Sequence, residues 1–247
     1  CIRDRYQVDD FNYDASTQTY TLKDGIPYHG DKSRIRPGMW KFKNLTGDDN
    51  VIDENDKTVI GNAQPKFYGG LNNSFTYKGF DLSIFLTFSY GNEVLNATKL
   101  VTSKVGSLNY NALDVMNSSN RWMTINSDGQ KVTDPGELAA LNAGKTVAAY
   151  HDAQQGDNYI HSWAVEDASY LKLSNVTLGY TFPKKLIARV GLKNLRLYAT
   201  GNNLLTWTKY SGFDPEVSTM KSGLTPGVDF GAYPLSRSFI FGLNVAF

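Results

Sequence analysis

The sequence predicts an all-β fold of antiparallel strands from a transmembrane β-barrel, joined in part by long loops. Three observations support this prediction. The strand candidates alternate between apolar and polar residues, their apolar faces are rich in aromatic residues, and no run of about 18 apolar residues predicts a membrane-spanning helix. The composition agrees, with 13% aromatic residues and 22 glycines among 247 residues.

The clearest hairpin covers residues 67–90. Its first half places most of its bulky apolar residues at odd positions, from Phe67 to Tyr77, and its second half at even positions, from Phe80 to Tyr90. Lys78-Gly79 predicts a two-residue turn, because glycine readily adopts a positive φ angle. Tyr77 and Phe80 then share a face at the turn, where an aromatic girdle would lie at a membrane interface.

A second pair of strands follows after a long interval. Val176, Leu178 and Tyr180 form an apolar face, whereas Leu171 and Leu173 are out of phase with it. One extra residue near Ser174-Asn175 would bring both groups onto the same face, so we predict a β-bulge there. Pro183 ends the strand, and alternation resumes at Leu195 after a connector that runs to Asn194.

The closing strand, residues 237–247 (RSFIFGLNVAF), shows the strongest alternation. A bulky apolar side chain occupies every odd position from Phe239 to Phe247. Side chains of a strand point alternately to opposite faces, so this segment has one apolar face and one face that is mostly small or polar. Such a strand suits a sheet with lipid outside and water inside.

The connections fall into two length classes. If the five strands run alternately down and up, the short links at 78–79 and about 183–194 lie at one edge. The long links at about 91–165 and about 205–236 then lie at the other edge, as in outer-membrane barrels. We therefore predict an extracellular loop region with short strands and an acidic turn at 1–65, followed by barrel strands with long surface loops at 66–247.

Composition argues against several function classes. The 25 basic and 24 acidic residues leave a net charge of +1, which gives no electrostatic reason to expect nucleic acid. Cys1 is the one cysteine, so neither an intrachain disulfide nor a thiolate metal cluster can form. His29, His151 and His161 form no evident set with a nucleophile, and Asp214-Pro215-Glu216 reads better as a loop than as an acid pair for glycoside cleavage. We therefore expect that this chain is not an enzyme.

Several segments resemble the SusC/RagA class of TonB-dependent outer-membrane transporters of Bacteroidetes. The resemblance begins near Arg34 and reaches Phe247, with the motifs in the order of the class. The first half carries PG at 37–38, GDDNVIDENDKTVIG at 47–61, PKFYGGLNN at 65–73 and YKGFDLS at 77–83. The second half carries YLKLSNVTLGY at 170–180, NNL at 202–204, GFDPE at 212–216 and FIFGLNVAF at 239–247.

The resemblance implies the C-terminal portion of a larger molecule, a barrel of about 22 strands filled by a plug. It also implies import of oligosaccharides, or of peptides in some members, across the bacterial outer membrane. The expected partners are the rest of the barrel and plug, a SusD-like surface lipoprotein, TonB, outer-membrane lipid and the cargo. The alternatives are a siderophore or cobalamin receptor of the wider TonB-dependent class, and a soluble calcium-containing β-sandwich that binds carbohydrate.

Two sets of site residues are predicted. In members of this class, the segment that corresponds to the acidic stretch at 48–56 resembles the first half of an EF-hand loop. In this chain, Leu45 and Gly47 occupy two of the ligand positions. The candidate Ca²⁺ ligands are Asn44, Asp48, Asp49, Asp53 and Asp56, and the alternative is an Asx-rich turn without metal. The candidate substrate-facing residues are Asp81, Arg196 and Tyr198 in the lumen and Trp163, Trp207 and Tyr210 at the rim, where aromatic rings stack on sugars. Their alternative roles are bonds to the plug, to water or to one another, and anchoring at the membrane interface.

Overall fold

The computed structural model describes residues 4–47, 49–103, 111–149, 160–216, 218–219 and 226–247. It forms two compact units, one of residues 1–61 and 96–165, the other of residues 62–95 and 166–247. Most of the predicted loop at 91–165 therefore folds together with the N-terminal residues. The predicted calcium ligand Asp48 and the histidine His151 lie outside the described residues.

The described residues of the first unit form short strands and two short α-helices. Its strands are β1 (Asp4–Arg5), β2 (Phe11–Asp14), β3 (Thr19–Leu22), β4 (Tyr28–His29), β5 (Trp40–Lys41) and β6 (Val51–Ile52), and its helices are α1 (Ala97–Thr102) and α2 (Pro135–Leu141). β1 pairs with β5 and β2 with β3, both antiparallel, whereas β4 and β6 are parallel. Single 3₁₀ turns cover Val8–Asp10, Lys32–Arg34, Glu54–Asp56, Asp114–Met116 and Ser162–Ala164.

Small apolar clusters hold this first unit together. Tyr6, Ile35 and Met39 are almost fully buried in one of them. α2 begins at Pro135, because the Asp134 carboxylate accepts hydrogen bonds from two N–H groups of the first turn and proline has no N–H group that would need a partner there. Among the described residues, no helix is both long and apolar enough to cross a membrane.

The second unit is dominated by one antiparallel sheet of five long strands. The remaining elements are β7 (Phe67–Tyr77), β8 (Phe80–Tyr90), β9 (Glu93–Asn96), β10 (Val165–Asp167), β11 (Tyr170–Thr181), α3 (Lys184–Ile187), a 3₁₀ turn at Ala188–Val190, β12 (Asn194–Thr208), β13 (Val228–Asp229) and β14 (Ser238–Ala246). The long strands lie in the order β14-β12-β11-β8-β7, and β10, β9 and β13 form a small separate sheet.

The local features of the five-stranded sheet confirm the sequence predictions. Tyr77 pairs with Phe80 across the turn, and Lys78 and Gly79 have φ angles of 45° and 89°. The register of β11 shifts between Leu173 and Asn175 against both neighbours, which confirms the predicted bulge. The short connections lie at one edge, because Tyr180 at the end of β11 pairs with Phe80 beside the turn.

One detail differs from the prediction. β12 continues to Thr208, past the expected loop start near Leu205. The strand gains an extra residue between Asn202 and Leu205 relative to β11, and Asn203 adopts a φ angle of 52°. This second irregularity faces the β11 bulge, so the pairing recovers and the strand extends.

The register places most of the apolar side chains of the five strands on one face. Cross-strand partners on this face include Leu71 with Leu86, Leu82 with Leu178, Leu197 with Leu243 and Ala199 with Phe241. Phe239 and Phe241 are 68% and 82% exposed. This contradicts the soluble β-sandwich alternative, which requires these side chains to be buried in a dry core.

Candidate functional site

The opposite face of the five-stranded sheet, here called the polar face, carries side chains that bond to each other across strands. The hydroxyls of Thr177 and Thr200 lie 2.8 Å apart, and the Asn175 amide donates to the Asn202 side-chain oxygen at 2.7 Å. Similar contacts join Thr87 to Ser174, Ser83 to Asn72 and Asn202 to Ser238. Since a strand alternates its faces, these polar residues follow directly from the apolar pattern on the other face.

The three predicted lumen residues lie together on the polar face, where Arg196 contacts the other two. Arg196 donates from Nη2 and Nε to the two Asp81 oxygens, at 2.6 and 3.1 Å, in a bidentate pair that joins β12 to β8. The Arg196 guanidinium carbon lies 5.0 Å from the centre of the Tyr198 ring. We call the two charged residues the β8–β12 ion pair. Recognition of cargo by these residues stays a prediction.

Gly179 on β11 makes room for this ion pair. A Cβ atom at Gly179 would lie 2.5 Å from Asp81 Oδ1 and 2.6 Å from Arg196 Nη2. The intervening strand must therefore carry glycine for the charged groups to meet above it.

A second group, here called the Lys172 cluster, lies at the long-loop end of the polar face. It consists of Lys172 and Tyr170 from β11 and of Asp214 and Glu216 from the segment after β12. The Lys172 ammonium is buried, pairs with Glu216 and lies 3.7 Å from Asp214 Oδ1, while the Tyr170 hydroxyl donates to Glu216. A buried lysine needs such counter-charges to offset its desolvation. The cluster therefore ties the segment after β12 to the sheet.

The two acidic residues of this cluster differ in what they bond. Asp214 accepts hydrogen bonds from the N–H groups of Glu216 and Leu235, at 3.0 and 3.3 Å, so it also shapes its own segment. The Glu216 carboxylate accepts hydrogen bonds from the Tyr170 and Lys172 side chains of β11. Both carboxylates share Lys172, an arrangement that suits anchoring better than glycoside cleavage.

The sequence analysis missed Lys172 and Tyr170 as site residues. The available signal was a lysine within an otherwise neutral strand, together with an acid pair in a later loop. Lys172 and Glu216 are separated by 44 positions in the sequence, so local patterns could not predict their contact.

The structure buries two of the three predicted rim residues. Trp163 is 4% exposed and packs with Trp40 in the first unit, whereas Tyr210 is 5% exposed and donates its hydroxyl to Asp229 at 2.6 Å. Trp207 is 52% exposed, but it pairs with Leu171 and so lies on the apolar face. None of the three presents a free ring on the polar face.

His161 stacks within the aromatic group around Trp163. Its ring centre lies 5.1 Å from that of Trp40 and 6.2 Å from that of Trp163. Burial lowers the pKa of His161 to about 4, and the nearby Lys99 ammonium adds to the effect. The imidazole is therefore neutral near pH 7.

The acidic turn at 44–56 is held by its own backbone. Asp56 Oδ1 accepts hydrogen bonds from the N–H groups of Leu45 and Thr46 at 2.6 and 2.9 Å, and Oδ2 accepts from the Asp53 N–H at 2.8 Å. Backbone hydrogen bonds, that of Asp53 first, lower the pKa of Asp56 to about 2.

The remaining predicted calcium ligands also bond within the turn. Asn44, Asp49 and Asp53 accept hydrogen bonds from N–H groups two residues further on. Within the described part of the chain, no group of three His, Cys, Asp or Glu side chains is placed to hold a metal. This arrangement fits an Asx-rich turn better than a calcium loop, and calcium binding stays a prediction.

The chain is similar to known TonB-dependent receptors. It is 35% identical to TonB-dependent receptor P3 of Formosa agariphila over 216 residues. This alignment covers 85% of this chain and 19% of that receptor. It is 28% identical to TonB-dependent receptor SusC of Bacteroides thetaiotaomicron over 204 residues. This alignment covers 80% of this chain and 17% of SusC. The chain thus spans about a fifth of the length of these relatives.

The fold is similar to a solved structure described as the RagAB peptide transporter. The two share 25% sequence identity with a TM-score of 0.58, over 76% of this chain and 18% of the other. No protein-family model matches the sequence. The relatives are named as receptors and a transporter and not as enzymes, in agreement with the expectation from the sequence.

Proposed function

Because this chain is a SusC/RagA-like segment of the TonB-dependent receptor family, we propose that it forms part of the wall of an outer-membrane importer. The apolar face of β7, β8, β11, β12 and β14 contacts lipid in this proposal, and the polar face lines the interior. TonB supplies the energy through a part of the receptor other than this segment.

The observation that carries the proposal is the exposed apolar face. Large side chains along it remain half or more exposed, among them Leu71, Phe75, Phe239, Phe241 and Leu243. Soluble monomers rarely expose continuous apolar patches of more than a few hundred Å². In hydrocarbon the same face is stabilised, provided that every strand edge is paired. Further strands from the rest of the receptor would pair with β7 and β14 and close a barrel of about 22 strands.

We further propose that the receptor imports an oligosaccharide or a peptide together with a SusD-like surface lipoprotein. The similarity to SusC and to the RagAB peptide transporter supports this class of cargo over a siderophore or cobalamin. The segments at the long-loop edge of the sheet, including the one anchored by the Lys172 cluster, are the parts of this chain nearest to such a partner.

Fractionation and purification from native membranes test the proposal. We expect the full receptor in the outer-membrane fraction, soluble only with detergent, and co-purifying with a surface lipoprotein. Deletion of the receptor gene should abolish growth on one glycan or peptide source, and restoring the gene should restore growth. A receptor found in the soluble fraction without detergent would contradict the proposal.

A further inference from the structure

The edge of the five-stranded sheet that carries the short connections is strongly basic. The segment between β11 and β12, here called the basic connector, holds four exposed basic residues: Lys184, Lys185, Arg189 and Lys193. No acidic residue occurs from position 182 to position 195. A fifth basic residue, Lys78, lies in the neighbouring turn, where the Thr181 N–H of β11 donates to the Gly79 carbonyl at 2.7 Å. Five positive charges therefore lie along one edge.

Neighbouring carboxylates do not cancel this positive charge. Asp81, the acidic residue of β8 beside the turn, is already bonded to Arg196. Among the described residues, the four basic side chains of the connector form no ion pair. The other acidic residues of the second unit all lie at the long-loop edge: Glu93, Glu166, Asp167, Asp214, Glu216 and Asp229. The net charge of +1 thus conceals a separation of charge between the two edges of the sheet.

The basic connector also exposes apolar side chains. Leu186 and Val190 lie in consecutive helical turns and are 56% and 71% exposed, whereas Ile187 is buried. Contacts between α3 and β12 hold the connector against the sheet. Apolar residues interleaved with lysine and arginine are typical of helical segments that lie in a membrane interface. An anion dissolved in water would account for the basic residues but not for the exposed Leu186 and Val190.

Aromatic rings of the apolar face lie directly beside the same edge. The Tyr180 ring centre is 4.5 Å from that of Phe80 and 5.0 Å from that of Phe182. Tyr77 is 68% exposed, and the Lys78 ammonium lies 5.2 Å from its ring centre. Aromatic rings favour the boundary of the hydrocarbon region, and basic side chains extend from there towards the headgroups. In the proposed importer wall, the basic connector therefore lies at the depth of the lipid headgroups.

We propose that this edge binds the phosphate groups of anionic phospholipids in the adjoining leaflet. The positive charge complements phosphate, and the continuity with the apolar face favours a lipid over a soluble anion or an anionic cell-wall glycan. Each lysine or arginine near an anionic membrane surface raises the affinity roughly fivefold. The inference rests on the proposed wall function and adds a lipid partner at the short connections.

Binding of a tail-labelled phosphatidylglycerol by the full receptor in non-ionic detergent tests the proposal. Fluorescence anisotropy follows the titration, and phosphatidylcholine with the same label measures binding through the acyl chains alone. The test variant replaces all four basic residues of the connector with glutamine. The matched control removes three lysines and one arginine that are exposed on the first unit: Lys23→Gln, Arg34→Gln, Lys43→Gln and Lys131→Gln.

We expect at least tenfold weaker binding of phosphatidylglycerol by the test variant, and unchanged binding by the control. Binding of phosphatidylcholine should be the same for all three proteins. A third variant that replaces the three connector lysines with arginine keeps the charge and should bind like wild type. The preference of wild type for phosphatidylglycerol should also vanish at high salt, because the Debye length falls from about 30 Å at 0.01 M to about 3 Å at 1 M.

Equal phosphatidylglycerol binding by wild type and the test variant would overturn the proposal, as would a preference of wild type that persists at high salt. Co-sedimentation of wild type with purified cell-wall glycan, lost in the test variant while lipid binding is kept, would assign the edge to that glycan instead. In each of these cases, a receptor that still fractionates with the outer membrane and supports growth would keep the importer function and refute the lipid site alone.

Discussion

Arginine substitutions at Leu71 and Asn72 compare the two faces of the sheet at one depth. Leu71 is 54% exposed on the apolar face, and its neighbour Asn72 points to the polar face. Leu71 lies six residues from the turn at Tyr77, which is about 20 Å along a strand. For a strand tilted by about 45°, this corresponds to a depth of about 14 Å in an apolar band about 25 Å tall. Leu71 therefore lies near the bilayer midplane.

We expect Leu71→Arg to destabilise the receptor by about 2 to 4 kcal/mol and Asn72→Arg by much less. The larger cost corresponds to a change of about 30- to 700-fold in the folding equilibrium, at about 1.4 kcal/mol for each factor of ten. Urea unfolding of the full receptor in lipid vesicles, followed by tryptophan fluorescence, measures the difference.

The same experiment includes an internal control for depth. Tyr77 lies on the same strand and the same face as Leu71, directly beside the turn. Tyr77→Arg should therefore cost only about 0 to 1 kcal/mol, as at an interface. Equal costs for Leu71→Arg and Asn72→Arg would refute the assignment of the faces.

Three further substitutions test other contacts of the structure. Gly179→Ala should separate the β8–β12 ion pair and lower the free energy of unfolding in urea by about 1 kcal/mol. The cost stays small because the new Cβ meets the flexible ends of the Asp81 and Arg196 side chains, which can move away. Unchanged stability would show that the ion pair contributes nothing. Lys172→Met should cost about 3 to 5 kcal/mol, because it leaves the buried Asp214 carboxylate and the partly exposed Glu216 carboxylate without a counter-charge. Glu216→Gln added to it should recover part of the loss, and a fully additive double mutant would contradict the cluster. Stability should fall as the pH drops from about 6.5 towards 4, because the pKa of His161 is lowered in the folded state to about 4, with a loss of at most about 3 kcal/mol. Unfolding midpoints at pH 7 and pH 4.5 should show this loss in wild type and a smaller one in His161→Phe, and identical pH dependence would refute the role of His161.

The sheet could be predicted from the sequence because its signals are local. Alternation alone fixed the faces, Lys78-Gly79 fixed the turn, and a change of phase located the bulge near Ser174. Each of these depends on residues that are neighbours along the chain, and strand geometry converts them directly into structure. The extension of β12 to Thr208 was missed, because a second extra residue near Asn203 interrupts the alternation.

The first unit and the Lys172 cluster were beyond such reasoning. The strands of the first unit have two to four residues, too few to establish a period, and their packing joins segments far apart in the chain. Trp163 and Tyr210 could not be placed from their sequence context, because an aromatic residue in a loop suits a buried cluster as well as an exposed rim. The acidic turn illustrates the same limit, since its oxygens suit either a metal or backbone N–H groups.

Spin-label accessibility along β7 measures most directly whether the apolar face meets lipid. Single cysteine labels from Leu71 to Phe75 in the full receptor, reconstituted in vesicles, report collisions with oxygen and with a water-soluble nickel complex. We expect oxygen accessibility to peak at Leu71, Asn73 and Phe75, and nickel accessibility to peak at the two positions between them. Labels at Leu71 and Phe75 that collide with neither reagent, as in a dry protein core, would contradict a lipid-facing wall.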